Sequence, residues 1–246
     1  MTRIVAHRGS SGRAPENTLA AFRLALAEPE IHMIELDVHL SADGIPVVIH
    51  DHTLERTTNG SGRVEDHTFE QLQQLDAGGW FAPEYAGERV PSLEEVLRLA
   101  KGRCRLQIEL KTMGDLYPGI EAEVIGLIHR YEMKEEVFVS SFDHESMKRA
   151  HDLDPSIATG LIVLGRPTLV KEQLLETGAS SLSIHYAFLT REWMERMRAD
   201  SVDIGVWTVD DPDTMARIVR EFPKVRITTN YPERLLRIVK EQPAML

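Results

Sequence analysis

Short runs of apolar, largely β-branched residues alternate with longer amphipathic stretches along almost the whole chain. Eight of the short runs read as strands, at residues 4–7, 33–37, 106–110, 137–140, 159–163, 181–184, 204–208 and 225–229. Between them, apolar positions at helical spacing predict eight helices, over 18–27, 93–100, 120–130, 144–152, 169–177, 191–198, 212–221 and 232–240. Asn17 stands where it can cap the first helix, and Pro91-Ser92 opens the second. Strand and helix in regular alternation mark parallel βα units, so the fold class is α/β. Eight of each in about 250 residues is the size of a closed (β/α)8, or TIM, barrel. An open doubly wound sheet usually has fewer strands and often a Gly-rich phosphate turn after the first, which is absent here.

One segment departs from this rhythm. Pro46-Val47-Val48-Ile49 also reads as a strand, but only Ser41-Ala42-Asp43-Gly44 lies between the end of the preceding apolar run and this one. A Gly-containing loop that short favours a hairpin over a parallel crossover, which needs a dozen or more residues. Residues 38–40 and 46–49 are therefore expected to form an antiparallel ribbon above the second strand, returning His50 to the top of the barrel. From Asp51 to about residue 90 the chain is polar, turn-rich and weakly periodic, with Asn59-Gly60-Ser61-Gly62 and Ala77-Gly78-Gly79 as breakers. This stretch, 51–90, reads as an insertion subdomain at the active-site end of one barrel domain spanning 1–246. Trp80 and Phe81 are expected to anchor it, and residues 242–246 to form a loose tail.

Composition narrows the function. The 246 residues carry 28 Lys and Arg against 39 Asp and Glu, a net charge of −11, with 42% apolar and 27% charged residues. Those proportions exclude a disordered or collagen-like chain. The acidic balance and the lack of a basic patch argue against nucleic-acid binding and against stable association with anionic membrane. Cys104 is the only cysteine, so no intrachain disulfide forms, and it reads as a small buried apolar residue. No apolar run approaches the roughly twenty residues needed to span a bilayer, and the N-terminus shows no secretory signal. The expected location is cytoplasmic, as a monomer or homodimer.

Candidate chemistry gathers at the predicted strand ends. Glu35 and Asp37 are two residues apart in a strand, so their carboxylates share a face while Ile34 and Leu36 take the other. Glu109 repeats the pattern in Ile108-Glu109-Leu110-Lys111. Three carboxylates there make an open site for Mg²⁺ or Ca²⁺; the competing reading is a salt-bridged polar layer with Lys111 and Arg8. His7 and His50, each closing a strand, suit a pair in which one imidazole accepts a proton and the other donates one. Arg8 and Lys111 offer positive groups for an anion. Together these residues describe attack on a phosphodiester. Trp207, at a strand's C-terminal end, either walls the substrate or packs in the core, and the same choice stands for Phe142.

The sequence resembles the glycerophosphodiester phosphodiesterase family, of the bacterial cytosolic type. The resemblance rests on His7-Arg8-Gly9, Pro15-Glu16-Asn17-Thr18, Glu35-Leu36-Asp37, Asp43-Gly44, His50-Asp51, Leu54-Glu55-Arg56-Thr57-Thr58, Pro91-Ser92-Leu93-Glu94-Glu95, Glu109-Leu110-Lys111 and Trp207-Thr208-Val209. These runs follow family order across nearly the whole chain. The resemblance implies a phosphodiesterase-type barrel with an insertion after its second strand. It implies cleavage of deacylated phospholipids, such as glycerophosphocholine or glycerophosphoethanolamine, to sn-glycerol 3-phosphate and an alcohol. By analogy Glu35, Asp37 and Glu109 bind one divalent cation (Mg²⁺ or Ca²⁺, with Mn²⁺ an alternative), His7 and His50 are the acid/base pair, and Arg8 and Lys111 contact phosphate. In the family the substrate's own glycerol hydroxyl commonly attacks first, giving a cyclic phosphate that water then opens.

Two positions depart from the family pattern. The family often has Asp where this chain has Asn230, and Asn where it has Asp210. No expected metal ligand is touched, so activity is expected to persist with altered substrate packing. Glu16 and Asn17 are candidates to orient the histidines. Two other functions fit the same fold: a lipid-cleaving relative of lysophospholipase D type, and a non-catalytic barrel that captures a phosphodiester. No apolar loop at the strand ends stands out to favour the lipid substrate, and a decayed binder would have lost one of the five key side chains.

Overall fold

The nine strands of the computed structural model, which describes residues 2–241, are β1 (Arg3–Ala6), β2 (Met33–Leu40), β3 (Pro46–Val48), β4 (Arg105–Leu110), β5 (Val137–Ser141), β6 (Ala158–Val163), β7 (Ser181–His185), β8 (Asp203–Trp207) and β9 (Arg226–Thr229). All but β3 pair in parallel in the order β1-β9-β8-β7-β6-β5-β4-β2, and β1 also pairs with β2, which closes the barrel. The expected tail at 242–246 lies outside the described residues.

The first arm of the expected ribbon is not a separate element. β2 continues unbroken to Leu40, and β3 folds back on it with Val38 opposite Val48 and Leu40 opposite Pro46. The Ile49 N–H then donates to the Asp37 carbonyl at 3.1 Å, which sets His50 over the C-terminal end of β2.

Around the barrel run α1 (Leu19–Leu26), then α2 (Phe69–Leu72) in the insertion, α3 (Leu93–Ala100), α4 (Ile120–Arg130), α5 (His144–Leu153), α6 (Val170–Thr177), α7 (Arg191–Ala199), α8 (Pro212–Glu221) and α9 (Pro232–Glu241). α1 is capped by the Thr18 hydroxyl, which accepts from the Ala21 N–H; Asn17, expected to cap it, has φ 57° and sends its side chain elsewhere. α3 opens with a reciprocal cap, in which Ser92 N–H donates to Glu95 Oε2 at 2.8 Å and Glu95 N–H to Ser92 Oγ at 3.2 Å. Such caps stabilise a helix by about 1 kcal/mol. Among the described residues no helix is long and apolar enough to cross a membrane.

The two faces of each strand divide the core. Ile34, Leu36, Val38, Leu106, Ile108 and Leu110 pack outward against the helices. Inside, a small apolar floor of Val5, Met33 and Phe138 forms at the N-terminal end, with the Arg226 guanidinium 4.8 Å over the Phe138 ring. Gly160 is required there, because a Cβ would lie 2.3 Å from that ring. Above this floor the lumen turns polar, beginning with Gln107 donating to Ser140 Oγ at 3.2 Å. Polar side chains aimed at the C-terminal mouth are what a barrel uses for chemistry.

The inserted stretch has its own apolar centre, in which Val47, Ile49, Leu54, Val64, Leu72, Ala77 and Val90 are buried together. α2 escapes prediction because four residues are too short to show a period; a Thr68–Gln71 capping box holds it. Trp80 and Phe81 meet edge to face at 5.7 Å, and Phe81 meets Tyr85 likewise. The Tyr85 hydroxyl donates to the Arg13 carbonyl at 2.9 Å, fastening this face to the loop after β1. Cys104 is partly buried, and burial pushes its thiol up to about 11.

Candidate active site

β1 delivers His7 and Arg8 to the mouth through a tight turn. Arg8 has φ 55° and Gly9 φ 82°. A Cβ at Gly9 would lie 2.6 Å from the Ala21 backbone, so only glycine fits. A left-handed arginine costs roughly 1–3 kcal/mol, the kind of strain held at functional sites. The strained turn aims the Arg8 N–H at Glu35 Oε2, 3.0 Å away, and the guanidinium at Glu16 and Asp37, at 2.7 and 3.1 Å.

The expected carboxylates converge. β2 and β4 pair with Asp37 opposite Glu109, and Glu35, Asp37 and Glu109 each offer an oxygen within 4.8 Å of the others. Asn17 donates from Nδ2 to Asp37 Oδ2 at 2.8 Å. Lys111 Nζ lies 2.8 Å from Glu109 and 3.6 Å from Asp37. Burial alone would push the Asp37 carboxyl up, but Arg8 and Lys111 hold it well below the usual carboxylate range. Burial and the neighbouring charges of Asp37 and Glu109 push Glu35 far above it. Glu109 is also raised, by burial and by Asp37.

This imbalance bears on whether the three carboxylates fit a metal ion. Arg8 and Lys111 compensate Asp37 and Glu109, yet Glu35 Oε1 is buried and has no hydrogen-bond partner. A buried carboxylate oxygen with nothing to accept from is costly, and a hard divalent cation with oxygen ligands is the partner that fits it. With all three ionised, as they would be around a cation, the carboxylates outnumber Arg8 and Lys111 by one charge, and a divalent ion would turn that balance positive before an anionic ester arrives.

The two histidines have different supports. His7 Nδ1 lies 2.7 Å from Asn230 Oδ1, and its Nε2 lies 3.8 Å from Glu35. Burial and the Arg8 charge pull it down to about 4. His50 Nδ1 lies 2.6 Å from Asp51 Oδ1, and burial lowers it as well. Arg56 donates to Asp51 Oδ2 at 2.6 Å and, with two nitrogens, to Glu16 at 2.8 and 2.9 Å. Glu16 also receives Arg8, so one ionic chain runs from Arg8 through Glu16, Arg56 and Asp51 to His50.

His7, Arg8, His50 and Lys111 face Phe142 and Trp207 across a cavity of about 190 Å³. Two larger depressions, of about 560 Å³ beside α4 and α5 and about 810 Å³ at the base of the barrel, contain none of these groups. Phe142 meets Trp207 edge to face at 5.5 Å, and Trp207 meets His185 in the same way. Phe142 is 47% exposed, so it is not a core residue.

Three expectations change. Glu16 and Asn17 do not touch the histidines; they hold Arg8 and Asp37. Asn230 contacts His7 and Asp210 and does not line the cavity. The mouth also has the apolar rim that the sequence did not advertise: Met113, Phe142, Leu164 and Phe188 are exposed just beyond the ends of the neighbouring strands β4, β5, β6 and β7. Single large apolar residues scattered in loops give no periodic signal, and only the strand order sets their loops side by side.

Sequence reading also missed His39. It is fully buried two residues beyond Asp37, with Nδ1 2.9 Å from the Tyr117 hydroxyl and Nε2 3.0 Å from the His50 carbonyl oxygen. The period of two along β2, extended one step past Asp37, is the signal that could have found it.

The barrel and the groups gathered at its mouth are those of a barrel hydrolase. Residues 7–234 match the Glycerophosphoryl diester phosphodiesterase family. A glycerophosphodiester phosphodiesterase of Caldanaerobacter subterraneus is 40% identical over 98% of both chains. One from Bacillus subtilis is 32% identical over 96% of this chain and 86% of its own. An Oleispira antarctica phosphodiesterase, solved in complex with the product sn-glycerol-3-phosphate, superposes with a TM-score of 0.88 at 32% identity over 98% of both chains. The glycerophosphodiester phosphodiesterase of Agrobacterium tumefaciens does so with a TM-score of 0.82 at 33% identity, covering 96% of this chain and 99% of that one. The chain belongs to the glycerophosphoryl diester phosphodiesterase family and is an enzyme.

Proposed function

We propose that this enzyme hydrolyses glycerophosphodiesters, releasing sn-glycerol 3-phosphate and a small alcohol. The observation that carries the reading is the mouth itself. Two histidines and two cations surround a carboxylate cluster whose Glu35 oxygen is buried without a partner. The product found in the Oleispira relative supports the same substrate class.

Glu35, Asp37 and Glu109 would hold one divalent cation, of which Mg²⁺, Ca²⁺ and Mn²⁺ are the candidates. When bound, it supplies positive charge where negative charge develops on the phosphoryl oxygens. Arg8 and Lys111 hold the phosphate and share that role. One of His7 and His50 takes a proton from the attacking hydroxyl, and the other gives one to the departing alcohol oxygen. A glycerol hydroxyl as nucleophile leaves a cyclic phosphate, which water opens with the proton transfers reversed. At about 190 Å³ the cavity is smaller than the ~300–1,000 Å³ that takes a drug-sized ligand, so it suits one half of the diester. Phe142 and Trp207 wall that half, and the other half extends out of the mouth past the exposed edge of Phe142. We read residues 1–246 as one barrel domain with 51–90 as a subdomain, acting in the cytoplasm.

The test is a head-group panel assayed for sn-glycerol 3-phosphate after stripping the protein of metal and restoring single cations. Glycerophosphocholine or glycerophosphoethanolamine should turn over only with a divalent ion present. Inactivity on the whole panel with every cation would leave only a binding module.

One observation favours a second reading. The apolar rim of Met113, Phe142, Leu164 and Phe188 would seat the chain of a lysophospholipid better than water does. Assaying lysophosphatidylcholine beside glycerophosphocholine separates the two, and turnover of the lipid alone would replace the first reading.

A further inference from the structure

Asp210 follows β8 and Asn230 follows β9, and neither lines the cavity. We propose that Asp210 is a positioning residue for His7: acting through Asn230, it holds His7 in the tautomer that carries its proton on Nδ1 and leaves Nε2 bare. The proposal rests on the reading of His7 as a proton-transfer residue.

The geometry leaves one consistent assignment of protons. Asp210 is itself fixed by two further donors, since its Oδ1 accepts from the Asn230 N–H at 2.9 Å and from the Thr229 hydroxyl at 3.0 Å. Its Oδ2 lies 2.6 Å from Asn230 Nδ2. A carboxylate only accepts, so the amide NH₂ must face it; the flipped amide would set two oxygens against each other at that distance. The Asn230 Oδ1 is thereby turned toward His7 Nδ1, at 2.7 Å; the Ser11 hydroxyl stands 2.8 Å from the same oxygen and 2.6 Å from the His7 carbonyl oxygen, with one hydrogen to share between them. An amide oxygen has nothing to donate, so the hydrogen between Asn230 and His7 belongs to Nδ1 of the imidazole. The other ring nitrogen, Nε2, stands 3.8 Å from Glu35 Oε2, and His7 lines the cavity.

Asp210 could instead serve only to fasten the turn after β9. The two roles differ in one respect: a fastener does not decide which nitrogen of His7 is protonated, whereas the proposed relay does. Holding an imidazole in the working tautomer is a recurrent device of acid/base sites.

The experiment reads the tautomer directly, in the full-length protein without substrate. Long-range ¹⁵N–¹H correlation spectra of histidine-labelled protein, with His7 assigned by the His7→Gln variant, should show a protonated Nδ1 and an unprotonated Nε2. In Asp210→Asn the Asn230 N–H and the Thr229 hydroxyl keep the residue 210 amide oxygen in the place of Oδ1, so its NH₂ faces Asn230, the Asn230 amide turns over, and the His7 signals should move toward the tautomer protonated on Nε2. The same variant should lose about tenfold to a hundredfold in kcat with KM changed by less than about threefold. Exchanging the pair, Asp210→Asn with Asn230→Asp, returns an acceptor to His7 and a donor behind it. It should restore the tautomer protonated on Nδ1 and most of kcat, and it carries the test alone if Asp210→Asn fails to fold. A wild-type His7 protonated on Nε2, an Asp210→Asn spectrum like wild type, or a double variant no better than the single one overturns the proposal. If the wild-type protein turns over no glycerophosphodiester while the spectra behave as described, the substrate reading falls and the Asp210 relay stands.

Discussion

Glu35 and Asp37 stand two residues apart on one face of β2, and the site drives their carboxyls in opposite directions. Glu35 is pushed well above its usual 4.5 by burial and by the charges of Asp37 and Glu109, while Asp37 is held far below 3.8 by Arg8 and Lys111 against the effect of burial. The signs give opposite pH dependence. Asp37 contributes stability that is present above its unfolded value and lost as pH falls toward its depressed one. Glu35 favours the folded state while protonated, so stability falls as pH rises from about 4.5 through its raised value.

Removing metal should expose the Glu35 component. Melting temperatures in chelator are expected to fall between pH 4.5 and the raised Glu35 value, and a divalent cation should restore them near neutrality. Glu35→Gln should flatten the chelator profile and abolish the metal-induced shift. An unchanged metal-induced shift in that variant would remove Glu35 from the ligand set.

Loss of either histidine is expected to act on chemistry and not on the cation. His7→Ala and His50→Ala should each lower kcat by about 10²–10⁴-fold, the range for removing a general acid or base. The metal-induced rise in melting temperature should survive in both. Full activity in one variant would exclude that histidine from proton transfer.

Arg56 links the two halves of the site. It donates to Asp51, which supports His50, and to Glu16, which supports Arg8. The bidentate contact to Glu16 needs a planar fork, so lysine cannot replace it. Arg56→Gln and Arg56→Lys should both lower kcat about tenfold with small effects on stability, since its side chain is 44% exposed. Wild-type kcat in Arg56→Lys would reduce this contact to a simple surface charge pair.

The barrel is legible in sequence because its strands are buried on their outward faces by continuous Val, Ile and Leu positions, and each is followed by a helix of clear period. Glu35, Asp37 and Glu109 are legible for the same reason: they interrupt those runs at the inward positions. Contacts made by barrel closure are not. His7 and Asn230 are 223 residues apart, and only the β1–β9 pairing brings them within 2.7 Å. Asn17 is misassigned because asparagine suits both a helix cap and a left-handed turn, and the turn at φ 57° puts its amide on Asp37. Arg56 lies in a turn-rich stretch with no period, where no spacing relates it to Glu16, 40 residues away.

The rim decides how far the substrate extends. Phe142 is 47% exposed, lines the cavity and rests its ring against Trp207 at 5.5 Å, whereas Met113, Leu164 and Phe188 are exposed after neighbouring strands and do not line it. Because Phe142 is about half solvated already, Phe142→Ala should cost far less than the roughly 3–5 kcal/mol of a buried phenylalanine, and the variant should fold. If the alcohol of a small diester leans on this ring, Phe142→Ala should raise KM for glycerophosphocholine about threefold to tenfold, while Leu164→Ser, further out, leaves it unchanged. If an acyl chain lies along the rim, both substitutions should lower kcat/KM for lysophosphatidylcholine, each by a similar factor. Loss confined to the lipid in both variants would show that the rim serves a chain that glycerophosphocholine lacks, and would transfer the physiological substrate to the lipid class.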